Sequence, residues 1–460
     1  MAERDYRRLS LWHDTYPGSL ARRPPLPGDQ QVDVAVVGGG YTGLWTAYYL
    51  KQADPGLRIA IMERETAGFG ASGRNGGWCS AIFPASLRKV ASHSSRQDAA
   101  RMQQAMNDTV DEVGRVAAAE NIDCGFAKGG YVSLARNQAQ LLRARAEVAQ
   151  WQAWGFGEEQ LRLLGKDEAT AMCGAANVSG GTFTPHCAAL NPTALVRGLA
   201  GAVERMGVAI YEGSPVTQLR PRLVRTPHGR VSADVVVRAT EGYTAQLPGL
   251  RRAMVPMYSL MVATEPLPET FWREAGLARR PTFSDKRHLR IYGQRTADGR
   301  IAFGGRGAPY HFGSRVKPRF DRDRRVHDML ERILVDLFPA LKGVAVTHRW
   351  GGNLGIPRDW YPHVAYHPGT GMAVSGGYVG DGVATANLGG RTLAEMITGR
   401  RTELVKLPWA QSASPGWEPE PLRWLGVNAG TAIFALGDRN EARSGRPSRL
   451  PAAFWRLLGH

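Results

Sequence analysis

The chain of 460 residues is 43% hydrophobic and 22% charged, which is typical of a globular protein long enough to form two domains. Its formal charge of +17 would suit an anionic partner, but the arginines are spread along the whole chain without a basic tail, so nucleic-acid binding is not favoured. Four cysteines without CxxC spacing disfavour zinc and predict a reducing, cytoplasmic compartment, and no run of about 18 apolar residues predicts a membrane span.

Residues 1–20 carry arginines but lack the apolar stretch of a signal peptide, so none is expected. The first predicted element is the buried strand "VDVAVV" at residues 32–37, which runs into a glycine turn and then a helix. In this turn, Gly38 permits the tight bend, Gly40 lets the backbone approach a pyrophosphate, and Gly43 lets helix and strand pack closely. The cofactor residues predicted at this turn are Gly38, Gly40, Tyr41, Thr42 and Gly43.

A second strand, "RIAIME", ends in Glu63, which lies 20 positions after Gly43. A carboxylate at this distance is typical of the acid that accepts the ribose hydroxyls of a dinucleotide. Because such an acid disfavours a 2′-phosphate, the pattern argues against NADP. We therefore predict that Glu63 and the adjacent Arg64 lie at the ribose end of the cofactor.

The glycine-rich stretch "GFGASGRNGGW" at residues 68–78 follows the second strand directly. Its glycines permit close backbone contacts, and the stretch has no apolar face that could fill a core. A nicotinamide dehydrogenase would continue into further βα units, whereas a loop at this place suits FAD, whose pyrophosphate and flavin extend past the first turn. The cofactor residues predicted in this loop are Ala71, Ser72, Gly73, Arg74, Asn75, Gly76 and Gly77.

The hydrophobic patterns in the middle of the chain predict helices and strands that form the scaffold of a second domain. Apolar residues recur at helical spacing in residues 96–120 and 136–154, on either side of the short strand "GGYVSLA". Three strand-like segments within residues 251–345, "VPMYSLMVATEPL", "HLRIYGQRT" and "RIAFGGRG", predict an antiparallel sheet that covers a pocket. Residues 321–339 predict a helix that packs on this sheet.

Between those two parts, Asn191 as cap and Pro192 at the first position predict a helix that Gly207 ends. The strand "VAIYEGSPV" and a further buried strand within residues 233–244 follow.

Residues 372–399 repeat the order of strand, glycine turn and helix. Two such junctions far apart in sequence are expected for the two ends of one long cofactor. The tail, residues 401–460, is expected to contain a short helical piece and to act as a lid, a dimer contact or a docked brace, of which the brace is favoured. The cofactor residues predicted at this second junction are Gly377, Gly380, Asp381, Gly382 and Val383.

The loop "ASGRNGG" and the two junctions resemble the D-amino acid oxidase-like (DAO) family of FAD-dependent oxidoreductases, and within it the gamma-glutamylputrescine oxidase-like branch. The resemblance covers residues 10–400 and implies a two-domain α/β flavoprotein, with a Rossmann-like FAD domain interleaved with an antiparallel-sheet substrate domain. The implied FAD domain comprises residues 1–95, 186–250 and 347–400, the substrate domain residues 96–185 and 251–346, and the C-terminal extension residues 401–460.

The resemblance also implies roles for residues elsewhere in the chain. The backbone at Val216 is expected to contact adenine, and Ala239, Thr240 and Gly242 are expected near the FAD pyrophosphate. The helix after Asp381 is expected to face the flavin pyrimidine, where its dipole stabilises the reduced flavin. Many relatives have His in place of Asp381, and because an acid at that edge would oppose reduction, its side chain is expected to point away or to bind solvent.

The family implies oxidation of an amine C–N bond to an imine, with a hydride equivalent passing to flavin N5 and water hydrolysing the imine. An aromatic pocket serves this chemistry because it excludes water and keeps the amine unprotonated. The sequence contains no Ser/His/Asp triad pattern and predicts no metal site. The candidate pocket aromatics are Tyr258, Tyr292, Trp350 and Trp360. The candidates for clamping a substrate carboxylate are Arg290, Arg349 and Arg358.

The resemblance leaves several alternatives open. Relatives with covalent flavin use a Cys in the segment matching residues 347–364 or a His near the first loop, and both are absent, so noncovalent FAD is expected, with Cys79 as the remaining alternative tether. "HLRIYGQRT" lacks the lysine that activates oxygen in sarcosine oxidase relatives, so oxidase and dehydrogenase both stay possible. An enzyme acting on a nucleic-acid-borne amine and a non-catalytic flavoprotein are the alternative functions.

Overall fold

The structure, a computed structural model, describes residues 4–457 as two large β-sheets with helices packed around them. Residues 1–3 and 458–460, which the predicted terminal segments include, lie outside the described residues. The strands are β1 Gln30–Val37, β2 Ile59–Met62, β3 Trp78–Ser80, β4 Tyr131–Ala135, β5 Arg162–Leu164, β6 Gly180–Thr184, β7 Cys187–Ala189, β8 Ala209–Tyr211, β9 Gln218–Arg220, β10 Leu223–Thr226, β11 Gly229–Arg238, β12 Val255–Thr264, β13 Thr282–Asp285, β14 Ile291–Arg295, β15 Ile301–Gly305, β16 Val346–Ile356, β17 His363–His367 and β18 Met372–Gly376. The α-helices are α1 Leu11–Asp14, α2 Tyr41–Ala53, α3 Leu87–His93, α4 Arg96–Ala119, α5 Gln138–Ala153, α6 Lys166–Met172, α7 Pro192–Arg205, α8 Glu269–Ala275, α9 Arg324–Leu337, α10 Gly382–Ile397, α11 Leu422–Ser444 and α12 Arg449–Leu457.

The first sheet has the strand order β17-β18-β11-β1-β2-β8, with β10 and β9 attached to β11. β1 runs parallel to both neighbours, so that Val36 lies opposite Val237 on one side and Ile61 on the other. Residues 34–37 are all buried, because helices cover both faces of an inner parallel strand. The predicted buried strand at the start of the cofactor motif is confirmed.

The second sheet has the strand order β16-β12-β15-β14-β13-β4-β6-β5 and is antiparallel except for the pair β13 and β4. The antiparallel sheet expected from residues 251–345 is therefore confirmed. One expected boundary is corrected, since residues 347–356 were assigned to the FAD domain but form most of β16, which pairs with β12 along its length. The rest of the domain division stays a prediction.

One helix follows each of the two strand–glycine–helix junctions. α2 follows the first glycine turn and α10 follows the second, and the two helices pack directly on each other. A Cβ atom on Gly390 of α10 would lie 2.6 Å from Cβ of Trp45 in α2, so only glycine permits this close approach. The repeated strand–glycine–helix pattern at the two junctions is confirmed.

The C-terminal extension is more helical than the sequence suggested, because α11 runs for 23 residues. It packs on the loop between β13 and β14, where the Asp438 carboxylate accepts hydrogen bonds from the backbone N–H groups of His288 (2.7 Å) and Leu289 (2.9 Å). Glu441, one turn further, accepts two hydrogen bonds from Arg143 (2.8 and 2.5 Å). These contacts attach the C-terminal extension to α5 and to the loop before β14. Among the described residues, no helix is both long enough and apolar enough to cross a membrane.

Candidate active site

Two neighbouring cavities lie where the cofactor motifs meet the second sheet. The larger has a volume of about 380 Å³ and the smaller about 100 Å³. Since they share lining residues, the two cavities adjoin each other. The shared residues are Ala71, Asn75, Leu354, Gly380 and Val383.

The first glycine turn forms one wall of the larger cavity. Gly38 has a φ of +111°, and a Cβ atom there would lie 2.4 Å from the Ala239 carbonyl oxygen on the neighbouring strand. Gly40 caps α2, and the first N–H of that helix, on Tyr41, donates to the Ser72 hydroxyl (2.9 Å). Gly43 faces away from the cavity, because a Cβ atom there would lie 2.1 Å from the Gly38 carbonyl oxygen. The turn therefore presents bare backbone and a helix N-terminus, which suits a pyrophosphate.

Glu63 lies at the end of β2 and lines the larger cavity. Its carboxylate accepts hydrogen bonds from the backbone N–H groups of Gly39 and Glu65, both at 2.8 Å. Burial raises the pKa of Glu63 to about 7, although the two N–H donors act in the opposite direction. Each carboxylate oxygen keeps a free lone pair, so the group can still accept ligand hydroxyls. Its role at a ribose stays a prediction.

The loop at residues 68–78 is organised mainly by its own side chains. The Asn75 amide donates to the carbonyl oxygens of Ala71 and Ser72, both at 3.0 Å, and its oxygen accepts from the Gly77 N–H (2.7 Å). Arg74 is buried and donates to the Asp321 carboxylate at 2.9 Å. Asn75 lines both cavities, whereas Arg74 lines only the smaller one.

The second sheet holds the outer half of this loop. Gln294 Nε2 donates to the carbonyl oxygens of Gly76 (2.7 Å) and Gly77 (3.1 Å), and the indole N–H of Trp350 donates to the Arg74 carbonyl oxygen (2.9 Å). A Cβ atom on Gly76 would lie 2.7 Å from the ring of Tyr292, so the aromatic ring packs directly on the loop backbone. These contacts fix the loop between the two sheets.

The N-terminal segment also binds this loop, which the sequence did not predict. The indole N–H of Trp12 donates to the Asn75 carbonyl oxygen at 2.8 Å, and its ring packs edge-on against Trp350. Arg4 lines the larger cavity and is ion-paired with Glu65 at 3.3 Å. The signal in the sequence that could have indicated this contact is a tryptophan, Trp12, ahead of the first strand.

Loss of the Trp12 hydrogen bond is expected to loosen cofactor binding. Replacement of Trp12 by Phe keeps most of the ring packing but removes the donor to Asn75, and a hydrogen bond contributes about 0.5–1.5 kcal/mol. We expect FAD to dissociate about 2- to 12-fold faster, measured by the flavin fluorescence that appears after dilution. The exposed Trp424 of α11, replaced by Phe, is the control. Equal dissociation rates in both variants would contradict the proposed contact.

Most of the predicted cofactor residues line the larger cavity. Those residues are Gly38, Gly40, Tyr41, Thr42, Glu63, Arg64, Ala71, Ser72, Asn75, Val216, Ala239, Thr240, Gly242, Gly380, Gly382 and Val383. Arg74, Gly76 and Asp381 line only the smaller cavity. Gly43, Gly73, Gly77 and Gly377 are absent from the lining of both.

Several residues that line the larger cavity were not predicted from the sequence. Glu241 lines the larger cavity and accepts hydrogen bonds from the N–H groups of Gly377 (3.3 Å) and Tyr378 (3.1 Å). Burial raises the pKa of Glu241 to about 7. An acid that follows a buried parallel strand was the available signal. Asn353 was also missed, because its amide donates to the Gly242 carbonyl oxygen (2.9 Å) from a distant strand.

The predicted aromatic pocket is largely corrected. Tyr292 lines the smaller cavity, and its hydroxyl is hydrogen-bonded to that of Ser259 at 2.8 Å. Tyr258 is buried against His311 and Phe320 instead, because its side chain lies on the other face of β12 from Ser259. Trp350 donates a hydrogen bond to the backbone of the glycine-rich loop at residues 68–78 and does not face a cavity. Trp360 lies under the guanidinium of Arg306. None of these three lines either cavity; Trp78 and Tyr131 line the smaller one instead.

The predicted arginine clamp is corrected in a similar way. Arg349 is ion-paired with Glu331 at 2.6 Å and Arg358 with Glu418 at 2.8 Å, and neither lines a cavity. Arg290 does line the smaller cavity, and it is joined there by Arg306, which the sequence analysis did not single out. Among the residues that the structure describes, neither Arg290 nor Arg306 has an ion-pair partner.

The lining residues fit FAD. Bare glycine backbone and one helix N-terminus face the larger cavity beside Ser72, a second helix begins at Gly382, and Glu63 offers free acceptors at the far end. Cys79 is buried in β3 and lines neither cavity, so it is not placed as a tether. The smaller cavity adjoins the second helix N-terminus.

Comparison with known proteins agrees with this geometry. The sequence profile of the DAO family, described as FAD dependent oxidoreductase, matches residues 33–396. Gamma-glutamylputrescine oxidoreductase of Escherichia coli (strain K12) is 32% identical over 420 residues, which span 88% of this chain and 93% of the relative. Sarcosine oxidase subunit beta of Arthrobacter sp is 22% identical, over 82% of this chain and 90% of the relative.

Solved structures show the same fold. Glycine oxidase from Geobacillus kaustophilus superimposes with a TM-score of 0.71 at 22% identity, covering 84% of this chain and 100% of that chain. L-proline dehydrogenase from P.horikoshii superimposes with a TM-score of 0.66 at 19% identity, covering 82% of this chain and 96% of that chain.

Proposed function

Because the chain belongs to the DAO family of FAD-dependent oxidoreductases and oxidises the C–N bond of amines or amino acids, we propose that its substrate is an amine that also carries a carboxylate. The observation that carries this proposal is the pair of guanidinium groups, Arg290 and Arg306, in the smaller cavity. Neither guanidinium group forms an ion pair in the described part of the chain, and together they carry more positive charge than the one carboxylate of the cavity, Asp381, offsets, so the pair favours an anionic group on the substrate.

The proposal divides the two cavities by chemistry. FAD, when bound, supplies the acceptor for the two electrons and the hydrogen that leave the substrate C–N unit. Glu63 and the glycine turns hold the cofactor in the larger cavity. In the smaller cavity, Trp78, Tyr131 and Tyr292 form an aromatic wall that excludes water. Desolvation by this wall lowers the pKa of a bound ammonium group and so favours the neutral amine that reacts.

The similarity to a gamma-glutamylputrescine oxidoreductase supports an amine that carries a carboxylate. The compound in that relative's name carries a reactive amine at one end and a carboxylate at the other. Anaerobic addition of amines to the yellow protein tests the proposal, because a substrate bleaches the flavin absorption. We expect bleaching by gamma-glutamylputrescine or another carboxylated amine at lower concentration than by N-acetylputrescine. Absence of bleaching by every polyamine, acylated polyamine and N-methyl amino acid would contradict it.

Further parts of the proposal concern the division of the chain and its compartment. We place the FAD domain on the first sheet and the substrate domain on the second, with β16 in the latter.

The four cysteines are free and buried, as a reducing cytoplasm would leave them. Either oxygen or another acceptor reoxidises the flavin.

FAD is expected to leave the denatured protein. The lining of the two cavities, within the described part of the chain, includes neither Cys nor His, so no side chain of the usual tethering types faces the flavin. Acid or heat precipitation should therefore leave the yellow colour in the supernatant. Colour retained in a washed pellet would contradict noncovalent binding.

A further inference from the structure

We propose that Asp381 is a catalytic residue, which binds the ammonium group of the substrate and accepts its proton before oxidation. This inference rests on the proposed function, since it concerns the amine that the smaller cavity takes. Asp381 lies at the junction of the two cavities. Its neighbours Gly380 and Gly382 line the larger cavity, whereas Asp381 lines only the smaller one. The backbone is thus at the cofactor and the carboxylate is on the substrate side.

Within the described part of the chain, the Asp381 carboxylate accepts no hydrogen bond and forms no close ion pair, although the Arg290 and Arg306 guanidinium groups act on it electrostatically. Asp381 occupies the N-cap position of α10, where an aspartate normally accepts a hydrogen bond from the N–H groups of the first turn. Its side chain forms no such bond. It forms no other hydrogen bond or ion pair with any residue that the structure describes. A partly buried carboxylate without a hydrogen-bond partner, aimed into a cavity, is available for a cation.

The backbone before Asp381 is held in an unusual conformation. Val379, a buried β-branched residue, has a φ of +54°, which such side chains rarely adopt. Its carbonyl oxygen accepts a hydrogen bond from the guanidinium of Arg306. Strain of this kind persists only where the surrounding structure fixes it, and it is concentrated at functional sites. Here it fixes the direction of the segment that ends at Asp381.

Charged and titratable groups face Asp381 from several sides. Burial raises the pKa of Asp381, and the guanidinium groups of Arg290 and Arg306 lower it. The other titratable groups near it are the Tyr292 phenol and the Cys187 thiol, and burial raises the pKa of both. Neither therefore carries charge at neutral pH. Because its pKa is raised, Asp381 binds a proton more readily than an exposed aspartate does, as an acceptor of the substrate proton requires.

Among the residues that line the smaller cavity, Asp381 is the side chain best suited to accept a proton from the substrate. The hydroxyl groups there are already engaged, since Tyr292 is bonded to Ser259 and Tyr131 to Ser284 (2.6 Å). Within the described residues, Asp381 is the carboxylate that lines this cavity. In the proposed step, one N–H bond of the substrate ammonium breaks and an O–H bond forms on Asp381. The freed nitrogen lone pair then forms the C=N bond as the substrate is oxidised, and Asp381 returns the proton to solvent.

The experiment compares wild-type protein with Asp381→Asn over pH 6–10 by anaerobic stopped-flow, with gamma-glutamylputrescine as the probe. The measured quantity is the limiting rate of flavin bleaching at saturating amine. General acid–base groups contribute about 10²- to 10⁴-fold, so we expect a loss of that size at pH 7. The loss should shrink towards pH 10, because the solution then supplies neutral amine. Asp381→Glu should recover most of the rate, and Asp336→Asn, at the exposed end of α9, is the control.

The outcomes separate the two proposals. If the wild-type flavin is not bleached by any amine, the proposed function fails. If it is bleached and Asp381→Asn has the same rate at every pH, or a loss that does not change with pH, the inference about Asp381 is wrong while the function stands.

A second measurement covers the case in which the variant does not retain FAD. tert-Butylamine has no hydrogen on the carbon that bears its nitrogen, so it binds to wild-type protein without being oxidised. At pH 7, its ammonium form should perturb the flavin spectrum at about tenfold lower concentration than tert-butanol, since only the cation pairs with Asp381. Equal affinities would overturn the inference.

Discussion

Replacement of Glu63 by Ala is expected to weaken FAD binding roughly 10- to 150-fold, because a charged acceptor of two hydroxyl groups contributes about 1.5–3 kcal/mol. The variant also leaves the N–H groups of Gly39 and Glu65 without their acceptor. Equilibrium titration of apoprotein with FAD, followed by flavin fluorescence, measures the change. Glu63→Gln keeps the side-chain volume and one acceptor oxygen, so its loss should be smaller. An unchanged affinity in Glu63→Ala would place the ribose acceptor elsewhere.

The same carboxylate predicts how FAD affinity depends on pH. The pKa of Glu63 is raised to about 7 in the protein without ligand, and ribose hydroxyls donate to the ionised form. FAD binding therefore lowers that pKa and releases a proton wherever Glu63 was protonated, so affinity rises with pH from about 6 to 8 and then levels off. In Glu63→Gln this rise should disappear, except for any part due to Glu241, whose pKa is also about 7.

The cofactor half of the site could be predicted because its signals are local. Gly38 and Gly40 act through backbone geometry at one glycine turn, Glu63 offers its carboxylate at the end of the next strand, and the spacing in sequence fixes their spacing in the fold. The same holds for Gly380 and Gly382 at the second junction. Residues with long-range partners were not predictable. Glu241, Asn353 and the N-terminal Trp12 reach the site only through the way the sheets pack.

The substrate half shows why a strand residue is hard to assign from sequence. Successive side chains of a strand point to opposite faces, so a shift by one position moves a residue out of the pocket. Tyr258 lies beside Ser259 in β12, yet only Ser259 lines the smaller cavity. Arg349 likewise faces α9, where Glu331 supplies its partner. Sequence cannot tell which arginine already has a carboxylate partner in the fold.

Replacement of Arg306 by Leu should change the preference between two amines rather than activity as a whole. Gamma-glutamylputrescine carries a carboxylate, whereas N-acetylputrescine has the same reactive end without one. A charge-assisted pair contributes about 1.5–3 kcal/mol, so the ratio of kcat/KM for the first amine over the second should fall roughly 10- to 150-fold. The ratio is the informative quantity, because Arg306 also donates to the Val379 carbonyl oxygen, and loss of that bond affects both amines.

Two further variants show which arginine acts. Arg290→Leu should lower the same ratio, by less than Arg306→Leu, because Arg290 is exposed and water screens its charge. Arg349→Leu should leave the ratio unchanged, since Arg349 is ion-paired with Glu331 away from both cavities. If Arg306→Leu and Arg290→Leu both treat the two amines as the wild-type protein does, the carboxylate is not bound by this pair. The anion would then have no recognition site in the smaller cavity, and a neutral or purely cationic amine, held by Asp381, would be the better substrate.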